Sequence, residues 1–544
     1  MTQRSIQANI VRIEARTILA GTLGWREGLI TDIQIRGEAE ADLPYLLPGF
    51  IDAHVHIESS MLVPSEFARL AVRHGTVGAV SDPHEIANVL GEEGVHFMLD
   101  NAARTPFHFL FGAPSCVPAT PFETAGAALD AEAVARLLDE PLVGYLSEMM
   151  NFPGVLSGDP EVLAKIAAAR ERGLPVDGHA PGLKGEDARR YAAAGISTDH
   201  ECFSLEEAED KIAAGMMILI REGSAARNFD TLQPLIARYP ERLMFCSDDK
   251  HPDDLAAGHI NELVARAVAA GHDLFHVLRV ACLNPIAHYQ LPVGRLRVGD
   301  PFDAVLVHNL VDFKAATTFL GGLPVAHAGH SLLPCVPVKT PNLWHARPIC
   351  RDDLKLTANG RPLRVIEAFD GALVTHELLA QPRSVDGVCL PDPEQDLLLL
   401  LVLNRYQSVP PALAFIRGFG LKRGALASSV AHDSHNIVAV AASLDELVLA
   451  VNSLVAIGGG ISVADGARVE RLPLPVAGLM SDADGDTVAA RYAELDVLAH
   501  GLGSLLRAPF MTLSFMALLV IPELKLSDRG LFDGRSFKFV EIET

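Results

Sequence analysis

The chain has 544 residues, 49% of them hydrophobic, enough for more than one domain and for a large buried core. Its 68 acidic residues against 45 basic ones leave a net charge of -23, and no Lys/Arg-rich run occurs, which excludes an electrostatic grip on nucleic acid or on an anionic membrane. The seven cysteines, Cys116, Cys202, Cys246, Cys282, Cys335, Cys350 and Cys389, form no C-x-x-C pair, so neither a disulfide framework nor a zinc ribbon is expected, only buried thiols in a reducing cytosol.

In chain order, the opening Met1-Thr2-Gln3-Arg4-Ser5-Ile6-Gln7 lacks the apolar core of a signal peptide, and a cytoplasmic enzyme is expected. Residues 1–47 read as short strands, Leu29 to Ile35 among them, broken by Gly21, Gly24, Gly28 and Gly37: the first part of a small β-domain. From residue 48 to about 290 strand and helix alternate. Strands are expected at Phe50–His56, Thr76–Ser81, His108–Pro114, Val143–Glu148, Pro175–Gly178, Ser197–His200, Met216–Ile220 and Leu243–Ser247. Between them, Pro160–Arg172, Glu186–Ala194, Ser204–Ala214 and Thr231–Tyr239 carry apolar residues near helical spacing. Eight βα units in about 230 residues match a TIM-like (β/α)8 barrel in count and size. Residues 291–344, with Gly294 to Val307 at their head, return to the small β-domain, making a β-sandwich of segments that flank the barrel. A third, α/β region fills 345–544; its Gly458-Gly459-Gly460 turn lacks the phosphate-binding lysine pattern. The apolar runs Leu397 to Leu403 and Phe510 to Ile521 are too short to span a bilayer and read as buried strands or helices.

Chemistry concentrates at the expected strand ends. Successive side chains of a strand alternate sides, so His54 and His56 project together from the end of the first strand, into the barrel mouth. An H-x-H pair alone is weak. Its weight comes from Glu148 at the end of strand four, His179 after strand five, His200 ending strand six and Asp248 after strand eight, all on the face where barrel enzymes keep their sites. Taken singly, His179 also reads as a helix cap, Glu148 as an ion-pair partner and Asp248 as an N-cap. Together, four imidazoles and two carboxylates suffice for two divalent ions, with Glu148 placed to bridge them; mixed nitrogen and oxygen ligation suits Mn2+, Fe2+ or Zn2+. Such a centre lowers the pKa of a bound water and polarises an electrophile, with Asp248 as ligand and base, so hydrolysis of a C–N bond is the expected reaction class.

The H-x-H on strand one, the histidines after strands five and six and the aspartate after strand eight resemble the amidohydrolase superfamily. Longer strings resemble its bacterial adenine deaminase family: Ile57-Glu58-Ser59-Ser60-Met61, Asp82-Pro83-His84-Glu85-Ile86-Ala87-Asn88-Val89, Ser147-Glu148-Met149-Met150-Asn151-Phe152-Pro153-Gly154, Gly178-His179-Ala180-Pro181-Gly182-Leu183 and Arg221-Glu222-Gly223-Ser224-Ala225-Ala226-Arg227-Asn228. The likeness continues through Gly418-Phe419-Gly420-Leu421-Lys422-Arg423-Gly424, Ser428-Ser429-Val430-Ala431-His432-Asp433-Ser434-His435-Asn436 and Ile521-Pro522-Glu523-Leu524-Lys525-Leu526, so it covers nearly the whole chain.

The resemblance implies hydrolysis of adenine to hypoxanthine and ammonia on two ions, Mn2+ or Fe2+ first and Zn2+ as a further option, with Glu148 in place of the carboxylated lysine of many relatives. It makes His54, His56, Glu148, His179, His200 and Asp248 the metal ligands and Asp248, Glu148 and Glu85 the catalytic set. Glu85 is the candidate ring-protonating acid or purine-edge contact, and His84, Ser224 and Arg227, in loops after strands two and seven, are candidate pocket residues, with loop capping and ion pairing as the alternative. His432, Asp433 and His435 either reach the site mouth or tie domains together; the second reading is taken. An amidohydrolase preferring N6-substituted adenine and a non-catalytic metal-binding homologue are the rivals. Expected partners are a purine and like subunits in a homodimer or larger assembly.

Overall fold

The computed structural model describes residues 3–544. All eight expected barrel strands form, as Phe50–Val55, Thr76–Ser81, His108–Ala113, Val143–Met149, Val176–Gly178, Thr198–Asp199, Met217–Arg221 and Leu243–Cys246. The first five pair in parallel in chain order, and so do the last three. Main-chain hydrogen bonds close both seams: Ser197 N donates to Val176 O at 2.8 Å, Asp248 N to His54 O at 2.9 Å and His56 N to Asp248 O at 3.3 Å. The second seam therefore runs through three of the expected ligands.

The helices outside the barrel start where the sequence supplies a cap. Asp159 accepts hydrogen bonds from Glu161 N and Val162 N ahead of Pro160–Glu171, and Ser204 accepts from Glu207 N ahead of Leu205–Ala213. The helix expected over Thr231–Tyr239 is instead two single turns, Phe229–Leu232 and Leu235–Arg238. Pro234 lies between them, and with no N–H to give it cannot sit inside a continuous helix.

The segments flanking the barrel join in one eight-stranded sheet, where Tyr45–Pro48 pairs antiparallel with Ala304–Val307. Trp25 and Phe319 lie on strands four places apart in that sheet, about 19 Å if it were flat. Their ring centroids are 6.3 Å apart, so the sheet folds over to enclose its own core of Leu23, Ile30, Leu46 and Phe302. Of the glycines expected to break these strands, Gly21 and Gly24 instead sit inside Thr17–Arg26 at register shifts, where an extra residue bends the pairing without ending it.

The third region is built on a second eight-stranded sheet. Its central strand Leu398–Leu403 explains the apolar run: Leu398, Leu400 and Val402 face a core shared with the barrel, while Leu399, Leu401 and Leu403 face the helix Leu444–Val455. A strand covered on both faces loses the polar alternation, and each leucine stabilises the fold by roughly 1.5–3 kcal/mol relative to exposure. Five cysteines are buried as expected, but Cys335 and Cys350 are exposed, in loops that join the elements. Among the described residues no helix is long and apolar enough to cross a membrane.

Candidate active site

The first barrel strand sets Asp52, His54 and His56 on one side. Asp52, deepest, is spent on structure: it accepts from Ser247 N at 2.9 Å and pairs with His259 Nε2 at 2.8 Å, tying the eighth strand to the first. His54 Nε2 and His56 Nε2 then converge at 3.2 Å, and the His56 ring is held by its Nδ1 against Asp82 O at 3.1 Å. Asp248 Oδ1 joins them, 3.3 Å from His56 Nε2 and 3.8 Å from His54 Nε2. Asp248 has a φ of 55°, a left-handed conformation that aspartate tolerates better than most residues and that directs its carboxylate at the pair.

Glu148 sits between two sets of imidazoles. Its Oε2 is 2.8 Å from His179 Nδ1 and 3.0 Å from His200 Nε2; its Oε1 is 3.4 Å from His56 Nε2 and 3.5 Å from His84 Nδ1. The donor atoms of His54, His56 and Asp248, and those of His54, Glu148 and His200, each lie within 4.8 Å of one another. Burial pushes the Glu148 carboxyl up, but His179 and His200 outweigh it and hold it well below the usual carboxylate range. Reciprocally, burial works against a charged His200, yet Glu148 and Asp248 raise it to about 9. The six expected ligands thus meet in one place.

Other charged groups line the same cavity without having been assigned roles from the sequence: Glu201, Arg221 and Asp249. Arg221 Nη1 is 2.5 Å from Asp248 Oδ2 and also bonds the Glu201 carboxylate, while Ser59 Oγ donates to Asp249 Oδ1 at 2.5 Å. One signal was available. Arg221 is the only charge in the strand Met217–Arg221 and stands at its carboxyl end, the position that barrel enzymes use.

Glu85 faces the cavity from the helix His84–Leu90, and both its oxygens are taken by the third region, one by His432 Nδ1 and one by His435 Nε2. Asp433 Oδ1 lies 3.5 Å from His84 Nε2. These residues do link domains, but His432 and Asp433 also line the cavity, which corrects the purely tying role expected of them. The cavity is covered by Leu373, Phe515, Leu518, Val520 and Ile521. Ser224 and Arg227 are placed elsewhere: Ser224 Oγ donates to Asp254 at 2.6 Å, and Arg227 donates to Gly223 O at 2.8 Å, the capping and pairing alternative.

The candidate ligands converging here offer imidazole nitrogen or carboxylate oxygen and no thiol lines the cavity, a donor set that fits Mn2+, Fe2+ or Zn2+. Several of the buried polar atoms here, His179 Nε2, His432 Nε2 and Asp433 Oδ2 among them, have no hydrogen-bond partner. Buried polar atoms left so are costly unless a ligand meets them.

Comparison with known proteins gives two family matches: residues 45–325 match the description "Amidohydrolase family" and residues 372–538 match "Adenine deaminase C-terminal domain". The chain is 57% identical over 542 residues to the adenine deaminase of Salinibacter ruber (strain DSM 13855 / M31), covering 99% of this chain and 98% of the relative. It is 54% identical over 537 residues to that of Sulfurovum sp. (strain NBC37-1), covering 98% and 99%. To that of Methanosarcina barkeri (strain Fusaro / DSM 804) it is 52% identical over 549 residues, covering 99% of each.

Proposed function

The chain belongs to the adenine deaminase family of the amidohydrolases, and from that premise we propose a residue-level account of how its cavity works. The reaction is the hydrolysis of adenine to hypoxanthine and ammonia, and the enzyme is a divalent-metal hydrolase. The placement of Glu148, with one oxygen toward His179 and His200 and the other toward His56, carries the account. It supports a pair of ions, Mn2+ or Fe2+: His54, His56 and Asp248 would hold one, His179 and His200 the other, and Glu148 would serve both. Divalent ions held there lower the pKa of water and draw electron density from the carbon under attack.

The protein's own groups then handle protons and the ring. Arg221 fixes Asp248 Oδ2 and leaves Oδ1 turned to the two histidines, so Oδ1 is the oxygen that receives the proton of the attacking water. Burial pushes Asp248 up, but Arg221 and His56 hold it well below the usual range, which makes it a transient carrier that passes the proton on. The ring nitrogen takes its proton from the Glu85–His432 pair. Burial disfavours charge on either, yet the two stabilise each other: Glu85 is held low and His432 is raised to about 9, so near neutral pH the pair carries one proton in the shared bond. His84 and Asp433 present the purine edge with paired donor and acceptor atoms. The apolar cover packs on the ring face and keeps bulk water from the leaving amine.

The test is ammonia release by metal-depleted chain reloaded with Mn2+ or Fe2+, offered adenine, N6-methyladenine, adenosine and guanine. Release from adenine is expected. Silence with all four would overturn the assignment, and release from adenosine alone would make it a nucleoside enzyme.

A further inference from the structure

The loops that present His179 and His200 are irregular, and what fixes them lies outside the cavity. Lys211, fully buried on the helix Leu205–Ala213, donates to Ala180 O at 2.7 Å and Glu207 Oε1 at 2.9 Å and pairs with Asp199 Oδ2 at 3.0 Å. That uses all three protons of its ammonium. Each carboxylate then grips both loops. Asp199 accepts from Ala180 N at 3.0 Å and Glu201 N at 2.8 Å; Glu207 accepts from Gly182 N at 2.8 Å and Phe203 N at 3.1 Å. Ala180 and Glu201 are the residues that follow the two imidazoles. From the other side the buried Tyr191 hydroxyl accepts from His179 N at 3.1 Å and donates to Met149 O at 2.7 Å, binding His179 to the residue after Glu148.

We infer that Lys211, Asp199, Glu207 and Tyr191 form a positioning cluster that sets His179 and His200 in register, and so fixes the affinity of the ion those two would hold without touching it. None of the four lines the cavity. An ammonium buried between two carboxylates is a costly way merely to pack a loop, whereas it specifies one geometry and no other. Residues in this supporting position shift metal affinity by about 10- to 100-fold when altered. The inference rests on the two-ion reading above.

Equilibrium dialysis against graded Mn2+, with metal analysis of the full chain, tests it in three variants: Tyr191→Phe, Asp199→Asn and the double change Lys211→Met with Glu207→Gln, which keeps the net charge of the cluster. Thermal unfolding of each metal-free variant runs alongside. In the expected result one ion binds as in the wild type and the other about 10- to 100-fold more weakly. Tyr191→Phe removes a single oxygen and keeps the test open should another variant not fold. Variants that melt lower yet hold both ions with wild-type affinity would show a role in the fold only, and equal weakening of both ions would overturn the assignment to one; each result sinks the inference. A wild-type chain that binds fewer than two ions overturns the two-ion reading itself, and this inference with it.

Discussion

Asp248 has two proposed jobs, holding an ion and receiving a proton, and a change that removes only its acidity separates them. Asp248→Asn keeps one oxygen donor but cannot take up a proton; metal content should stay substantial while kcat falls by about 10²- to 10⁴-fold, read by metal analysis and ammonia release. Unchanged turnover would remove Asp248 from proton transfer. His432 gives a pH signature. Raised to about 9 by Glu85 and Asp249 against burial, it is protonated at neutral pH, so activity should fall as pH climbs through about 9, and His432→Gln should abolish that limb of the profile. The sign for stability is the same: the stabilisation is complete below the unfolded value of about 6.5 and is lost as pH rises through about 9. At this scale the six candidate ligands were legible because each stands at the carboxyl end of a barrel strand. Glu201 was not, because an acid in an irregular loop reads equally as a cap. Ser224 and Arg227 were misplaced because a loop's position after a strand does not say which way its side chains turn.

Among the elements, the segment that covers the cavity depends on one buried lysine. Lys525, fully buried in the strand Leu524–Ser527, donates to Leu373 O at 2.6 Å and Phe515 O at 3.0 Å, and burial pushes it down to about 7. It thus holds two parts of the cover together. Lys525→Met should loosen that cover and raise KM for adenine several-fold with a smaller change in kcat. Because the lysine titrates near 10.4 when unfolded, the wild type should gain stability over the variant as pH rises from about 7 to 10.4, measured as denaturant midpoints of the two chains side by side. A constant difference would show that Lys525 is not held neutral. Element boundaries were legible to within a residue or two for all eight barrel strands; most read as the short apolar blocks of parallel strands covered on both sides, although Val176–Gly178 and Thr198–Asp199 each carry an aspartate. Thr231–Tyr239 failed because its apolar spacing continues across a proline that the backbone cannot follow.

In the whole molecule one apolar core runs from Ile51 in the first barrel strand through Leu398 and Val440 to Leu531, so the barrel and the third region share an interior beside the smaller cores that each keeps for itself. Thermal unfolding followed by calorimetry should therefore show one cooperative transition for both; two well-separated transitions would contradict a shared core. Mn2+ at about 100 times its dissociation constant should add about 2.7 kcal/mol per site, and a chelator should remove it, seen as a shift in Tm. The order of regions along the chain was legible in the sequence. That the third region caps the barrel mouth with His432 and Asp433 was not, because a strand buried against another domain has the same pattern as one buried within its own.

The closing seam has a bearing on how the enzyme is made. Ser247 and Asp52, bonded beside the first pair of histidines, are 195 residues apart, and His435 stands 350 residues beyond the Glu85 it holds. At roughly 5–20 residues per second, a chain leaving the ribosome exposes Glu85 for about 20–70 s before that partner exists. The groups around Glu85 are therefore complete only in the last fifth of translation, when His432 and His435 emerge to meet it.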